Sequence, residues 1–223
     1  MFVSQPYKRI PAFEYPPENE PVEIKFSAVS VAEVKLWAKI SGSAEDALIQ
    51  GIIDGVTLEV EKYTKREIIL KGFRTLRNNF GDVNETPLRD PVYFPEAPVT
   101  LRRTPLHSIT SISYLSGGVM LALDLDDIDI IESPDFSSFV PATGKSWVFP
   151  DRRPQAVEIE FTAGYPDAAS VPADLKNALL AHITSVYQNR GDCDSGGGSC
   201  SCKFAPGVSM AVYNQYRIID FRG

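Results

Sequence analysis

Apolar residues recur every three or four positions in three segments, the spacing that places them on one face of an α-helix. The first predicted helix starts after Ser30, which forms a capping box with Glu33, and ends near residues 40–42. The second covers residues 43–64, with Ser43 as its N-cap. The third lies near the end of the chain and repeats an apolar residue at every fourth position: Leu175, Leu179, Ile183 and Tyr187.

Between the second and third helices the apolar period changes to two, which is typical of β-strands. Val157, Ile159 and Phe161, for example, alternate with two glutamates, and Gly117-Gly118 reads as a hairpin turn. We predict strands at residues 67–73, 97–103, 108–115, 119–125, 127–132, 145–149 and 156–165.

These elements together predict an α+β protein. It consists of a small helical bundle with an inserted antiparallel β-sandwich or barrel-like region and an extended C-terminal tail. Prolines at 6, 11, 16, 17 and 21 favour an extended N-terminal arm. The predicted parts are an arm at 1–27, a bundle at 28–66 and 166–191, a β region at 67–165, and a flexible loop with a docking tail at 192–223.

The net charge of the chain disfavours one class of function, tight binding to nucleic acid. The chain has 223 residues, 22 of them Lys or Arg and 29 Asp or Glu, for a net charge of −7. Proteins that bind the phosphates of nucleic acid normally carry a basic patch, so the excess of acidic residues disfavours tight binding to DNA or RNA. Apolar runs are too short to span a bilayer, and the start of the chain does not resemble a secretory signal.

Catalytic motifs are absent from the sequence. None of the nucleophile-elbow, metalloprotease, P-loop or dinucleotide-binding signatures occurs. The two histidines, His107 and His182, fit structural roles better than catalytic ones. We therefore predict no catalytic residue, no cofactor and no enzymatic activity.

Two clusters of potential metal ligands also fit plainer roles. Asp124, Asp126, Asp127 and Asp129 do not match the calcium loop of an EF-hand, so we interpret them as solvated carboxylates on edge strands. Cys193, Cys200 and Cys202 lack the paired spacing and the fourth ligand of a structural zinc site. Free thiols in a glycine-rich loop are the prediction there, and no metal site is predicted.

The second predicted helix contains Gly51 and Gly55 with Ile52 and Val56 beside them. Each interior glycine costs a helix about 1 kcal/mol relative to alanine, so the pair calls for a structural reason. Glycines four apart form a smooth strip on which another helix can pack closely. The sequence leaves two interpretations open: packing within the chain, or a contact between subunits.

The C-terminal segment YNQYRIIDFRG is unusually apolar for a tail. We predict a helical turn around Met210 and Tyr213 and a strand from Tyr216 to Phe221. That strand either pairs with the chain's own sheet or adds to the sheet of a partner. In the second interpretation the docking residues are Tyr216, Arg217, Ile218, Ile219 and Phe221.

In order and spacing, four segments resemble the head–tail connector (adaptor) proteins of long-tailed bacteriophages and related prophage particles. They are VSVAEVKLWAKISGSAEDALIQGIIDGVTLEVEKYTKR, LRRTPLHSITSISYL, VEIEFTAGYPDAASVPADLKNALLAHITSVYQNR and YNQYRIIDF. The resemblance spans most of residues 28 to 221. It implies a structural protein of the virion neck, assembled in the host bacterial cytoplasm.

The resemblance also implies partners. Copies of the chain, twelve in number, would form a ring below the portal protein, with a tail-side neck or stopper protein beneath. DNA would pass through the ring without specific binding, and no membrane would be involved. Two other functions stay open on the sequence: another virion part, such as a tail-completion or baseplate protein, or a ligand-binding or enzymatic domain with its site on the β-region loops.

Overall fold

The computed structural model describes residues 27–80, 96–133, 136–189 and 205–218. Within these ranges the helices are α1 Val31–Ala38, α2 Asp46–Thr64, α3 Ala173–Gln188 and α4 Gly207–Tyr216. The strands are β1 Lys71–Arg77, β2 Val99–Leu101, β3 Leu106–Ser116, β4 Val119–Ala122, β5 Ile128–Glu132, β6 Ser137–Pro141 and β7 Val157–Ala163. The chain is therefore α+β, as the sequence predicts.

The four helices pack around one hydrophobic core. Their buried apolar faces include Val34 of α1, Ile53 of α2, Leu179 and Ile183 of α3, and Tyr213 of α4. Three of the four predicted positions of α3 match this core: Leu175, Leu179 and Ile183 are buried, and Tyr187 packs partly buried against them. Among the described residues, no helix combines the length and the apolar character that crossing a membrane requires.

Helix ends match the prediction at one site and differ at another. The capping box of α1 is present, with the Ser30 hydroxyl accepting from the Glu33 amide and the Glu33 carboxylate accepting from the Ser30 amide. The predicted Ser43 cap of α2 is wrong, because α2 begins at Asp46 and follows Glu45 without a side-chain cap. Ser43 instead belongs to a backbone turn, in which its carbonyl accepts from the Asp46 amide at 3.3 Å.

The seven strands of the described ranges form two antiparallel sheets, with the orders β1-β7-β3-β4 and β2-β6-β5. The alternation predicted for β7 is confirmed, since Val157, Ile159 and Phe161 are buried. Residues of both sheets, among them Phe161 and Phe139, share a second hydrophobic core. Among the described strands the sheets do not close into a barrel, so the barrel-like alternative is wrong: β1 and β4 are the edges of one sheet, and β2 and β5 of the other.

One predicted strand is absent and one strand was missed. Residues 145–149 form no strand. The side chain of Trp147 is buried instead: its ring stacks on that of Phe80, with the ring centres 4.8 Å apart, and its indole N–H donates to the carbonyl of Ala97. The missed strand is β6, which lies between β2 and β5. Its sequence SSFVP is short and ends in a proline, a residue that is depleted in strands.

Candidate assembly surfaces

The outward face of α2 carries small and apolar residues. We call the row Leu48, Gly51, Gly55 and Leu58 the α2 outer face; all four residues are exposed. Leu48 and Leu58 expose nearly half of their side chains, at 46% and 48%. A Cβ atom added at Gly51 or Gly55 would meet no atom within 4 Å. Packing within the described part of the chain therefore does not explain the two glycines.

The inward face of the same helix is occupied. Val56 is buried in the helical core, at 4% exposure, and Ile52 packs partly buried against that core. Of the two interpretations that the sequence left open, Val56 therefore fits packing within the chain, because its side chain is not accessible for a contact between subunits. Successive residues of an α-helix are about 100° apart around its axis, which places the outer face and the buried core face on different sides of α2.

The C-terminal residues nearest α4 contact their own helices. Tyr216 is the last residue of α4, so a strand starting at Tyr216 is wrong. Its hydroxyl donates to both carboxylate oxygens of Asp174, at 2.8 and 3.0 Å. Burial first, and then this hydrogen bond, raise the pKa of Tyr216 to about 12.

The next two residues continue along α2. The guanidinium of Arg217 lies 5.0 Å from the centre of the Tyr63 ring, and the Ile218 amide donates to the Thr64 carbonyl at 2.9 Å. Of the five predicted docking residues, Ile219 and Phe221 lie outside the described residues. The contacts of Tyr216, Arg217 and Ile218 fix the point from which those last residues start.

A buried ionic cluster, which no sequence pattern predicted, joins α2 to the sheets. Glu61 accepts hydrogen bonds from the amides of Ile68 and Ile69 at 2.9 and 3.1 Å. The Lys71 ammonium donates to Glu61 at 2.5 Å and to Glu67 at 3.0 Å, and Arg103 donates to Glu67 at 2.9 Å. Glu61 and Glu67 are both buried.

The charges in this cluster balance, with two carboxylates facing two cations. Burial alone would lower the pKa of Lys71, but hydrogen bonds and charge from Glu61 and Glu67 outweigh burial and raise it. Buried ion pairs that are fully hydrogen-bonded hold a fixed geometry, and losing one partner is costly. The cluster therefore sets how β1 leaves the end of α2.

The other candidate chemical groups are dispersed. His107 is exposed on β3, whereas His182 is buried in α3 with its Nδ1 3.4 Å from the Tyr213 hydroxyl. Over the described ranges, no three histidine, cysteine or acidic side chains are placed to hold a metal ion. Cys193, Cys200 and Cys202 lie outside the described residues.

Solved structures share this fold. The chain is similar to the neck of an empty gene transfer agent (GTA) particle determined with C6 symmetry, with a TM-score of 0.65 and 22% identity, over 92% of this chain and 97% of that one. It is similar to a chain in the virion of a native GTA particle, with a TM-score of 0.63 and 21% identity, over 92% and 98%. The neck of a native GTA particle determined with C12 symmetry gives a TM-score of 0.63 and 20% identity, over 92% and 97%.

No protein-family model matches the sequence, and no curated protein matches it either. Similarity at these identities establishes the fold. Because the match covers nearly all of both chains, it includes the helices and both sheets together.

Proposed function

We propose that this chain is a structural protein of a virion neck, a head–tail connector (adaptor) that forms a ring under the portal and joins the DNA-filled head to the tail. The observation that carries the proposal is the shared fold, over 92% of the chain, with neck structures determined with sixfold and twelvefold symmetry. The independent resemblance of four sequence segments to connector proteins supports the same function. On this proposal the chain is not an enzyme.

The α2 outer face supports a ring contact between copies. A cyclic ring needs a heterologous contact, in which one surface of a copy meets a different surface of the next copy. Exposed Leu48 and Leu58 supply apolar area, and Gly51 and Gly55 leave room for a neighbouring backbone to approach. The chain's net charge of −7 favours a channel wall that lets DNA pass without holding its phosphates.

The proposed partners follow from this position in the particle. The portal protein lies above the ring, and a tail-side neck or stopper protein lies below it. The C-terminal residues Ile219 and Phe221 dock on the portal, while Tyr216, Arg217 and Ile218 anchor the start of that segment to the ring protein itself.

Removing the gene from a producing strain tests the function. We expect heads filled with DNA and separate, complete tails, which negative-stain electron microscopy distinguishes directly. Tails joined to heads in the absence of the chain would contradict the proposal. Joined particles that lack only tail-tip structures would indicate a baseplate protein instead.

Alanine at Gly51 and Gly55 separates folding from assembly. In the isolated chain each Gly→Ala change should raise the free energy of unfolding by about 1 kcal/mol, because alanine favours a helix interior and the added methyl meets open space. In particles the same methyl groups obstruct close packing, so incorporation of the chain into necks should fall. Thermal melting and quantification of the chain in purified particles are the two measurements.

The matched control is Asn177→Ala, an exposed substitution in α3 that also favours helix. It should stabilise the chain without changing incorporation. If the glycine variants are incorporated as well as this control, the α2 outer face is not the contact between copies.

Deletion of residues 219–223 tests portal docking. The deletion starts after Ile218 and so keeps the hydrogen bond from the Ile218 amide to the Thr64 carbonyl. We therefore expect a melting temperature within about 2 °C of that of the intact chain, which corresponds to a change in unfolding free energy of less than about 1 kcal/mol. Binding to purified portal should fall by at least about tenfold, or 1.4 kcal/mol. Deleting only Arg222 and Gly223 retains Ile219 and Phe221 and should leave binding unchanged; unimpaired binding of the longer deletion would contradict the docking proposal.

A further inference from the structure

The two sheets end in neighbouring exposed edge strands. Among the described strands β4 pairs only with β3, and β5 pairs only with β6. Residues 123–127 connect β4 directly to β5. No residue from Val119 to Ile131 is buried. We call this stretch the β4–β5 edge surface.

The β4–β5 edge surface is apolar. It exposes six large hydrophobic side chains to between 37% and 61%: Val119, Met120, Leu121, Leu125, Ile130 and Ile131. An edge strand also presents unpaired backbone amides and carbonyls, and proteins normally protect apolar edges by covering or charging them. An apolar double edge of this kind is a surface on which an extended segment can add as a strand.

The same surface is acidic. Asp124, Asp126, Asp127 and Asp129 lie within it. The ion pair that the structure shows for this group joins Asp127 to Lys145 at 3.0 Å. Four carboxylates against one ammonium leave a net negative charge, which favours a basic and apolar occupant.

The N-terminal segment of the chain has those properties. Residues 1–13, MFVSQPYKRIPAF, contain two charged side chains, Lys8 and Arg9, both basic. Prolines divide the segment into the proline-free runs 1–5 and 7–10, similar in length to β4 and β5. Residues 14–26 hold four glutamates and one lysine, so the positive charge is confined to the first half of the arm.

A spacer of thirteen residues, 14–26, joins this segment to the helical core. The described chain starts at Ser27, and Ala28 and Val29 are buried in the helical core. Residues 14–26 span up to about 43 Å when extended.

We propose that the N-terminal segment, residues 1–13, binds the β4–β5 edge surface of its own chain. The apolar side chains of the segment cover the exposed residues of β4 and β5. Lys8 and Arg9 pair with the uncompensated carboxylates, of which Asp126 and Asp129 are exposed. This interaction goes beyond the proposed function and does not depend on it, because it is tested on the isolated chain.

Hydrogen exchange of the full-length chain, followed by mass spectrometry, tests the interaction. Amides of Val119–Ala122 and Asp129–Ile131 should exchange at least about tenfold more slowly in the unaltered chain than in Lys8→Glu/Arg9→Glu. The matched control is Lys39→Glu/Lys62→Glu, which makes the same charge change at two exposed positions, one directly after α1 and one in α2, and should retain the slow exchange. Equal exchange in the unaltered chain and in Lys8→Glu/Arg9→Glu would overturn the proposal.

A charge swap provides the second arm of the test. Asp126→Lys/Asp129→Lys alone should accelerate exchange of the same amides. Combining it with Lys8→Glu/Arg9→Glu should restore slow exchange, and fast exchange in the combined variant would overturn the proposed pairing.

A dilution series shows whether the bound segment comes from the same molecule or from a second copy. Protection independent of concentration supports binding within one molecule, whereas protection lost on dilution shows that a second copy supplies the occupant and overturns the proposal.

Discussion

Replacing Gly164 by alanine is expected to lower the free energy of unfolding by about 3 kcal/mol. Gly164 follows β7 with a φ of 111°, a conformation that side chains rarely adopt. A Cβ atom there would lie 2.4 Å from the Ile69 carbonyl oxygen and 2.9 Å from the Leu70 Cα. Both are backbone atoms that lead into β1, so neither moves without disturbing the strand.

The melting temperature should fall by about 6–12 °C, because 1 kcal/mol corresponds to about 2–4 °C in a chain of this size. The matched control is Gly144→Ala, where φ is 81° but an added Cβ meets nothing within 4 Å. This control should lower the free energy of unfolding by about 1 kcal/mol, the cost of holding alanine in a left-handed backbone conformation. Equal losses in the two variants would contradict the close approach at Ile69.

Removing the Glu61 carboxylate should destabilise the chain by about 3–5 kcal/mol. Glu61→Ala leaves the Ile68 and Ile69 amides without their acceptor and deprives Lys71 of one of its two carboxylates. All of these groups sit at the joint between α2 and β1, where little water is available to replace the lost partner. Denaturant unfolding of the isolated chain measures the loss.

The control is Lys145→Ala, a change outside this cluster that breaks the ion pair between Lys145 and Asp127, in which the lysine side chain is 57% exposed. Exposed pairs contribute about 1 kcal/mol or less, so its cost should be small. Glu61→Gln retains an acceptor for the two amides but loses the charge, and its cost should lie between the other two. A Glu61→Ala loss no larger than that of Lys145→Ala would show that the cluster does not hold the joint.

Local sequence signals predicted the elements well where local chemistry determines them. The Ser30 capping box and the alternation along β7 each depend on residues within a few positions of one another. Residues 145–149 were misjudged because Trp147 is held by rings and a carbonyl far away in sequence. An alternating apolar pattern does not distinguish a strand from a loop whose aromatic side chain is buried in the core.

The candidate surfaces were predictable only in part. Gly51 and Gly55 stood out because interior glycines disfavour helices, but which row faces the core depends on where α3 and α4 pack. Val56 was named beside Gly51 and Gly55, and the structure exposes the two glycines and buries Val56. The ionic cluster had no sequence signature, since Glu61 and Arg103 meet Glu67 and Lys71 only after the sheet forms.

High-resolution cryo-electron microscopy of the neck, in particles that encode this chain, is the decisive experiment for the connector proposal. We expect copies of the chain in a closed ring between portal and tail, around a channel wide enough for DNA. The α2 outer face should lie between adjacent copies, and the residues after Ile218 should reach the portal. If the chain is absent from the neck, or is present there as a single copy outside any ring, it is not a head–tail connector.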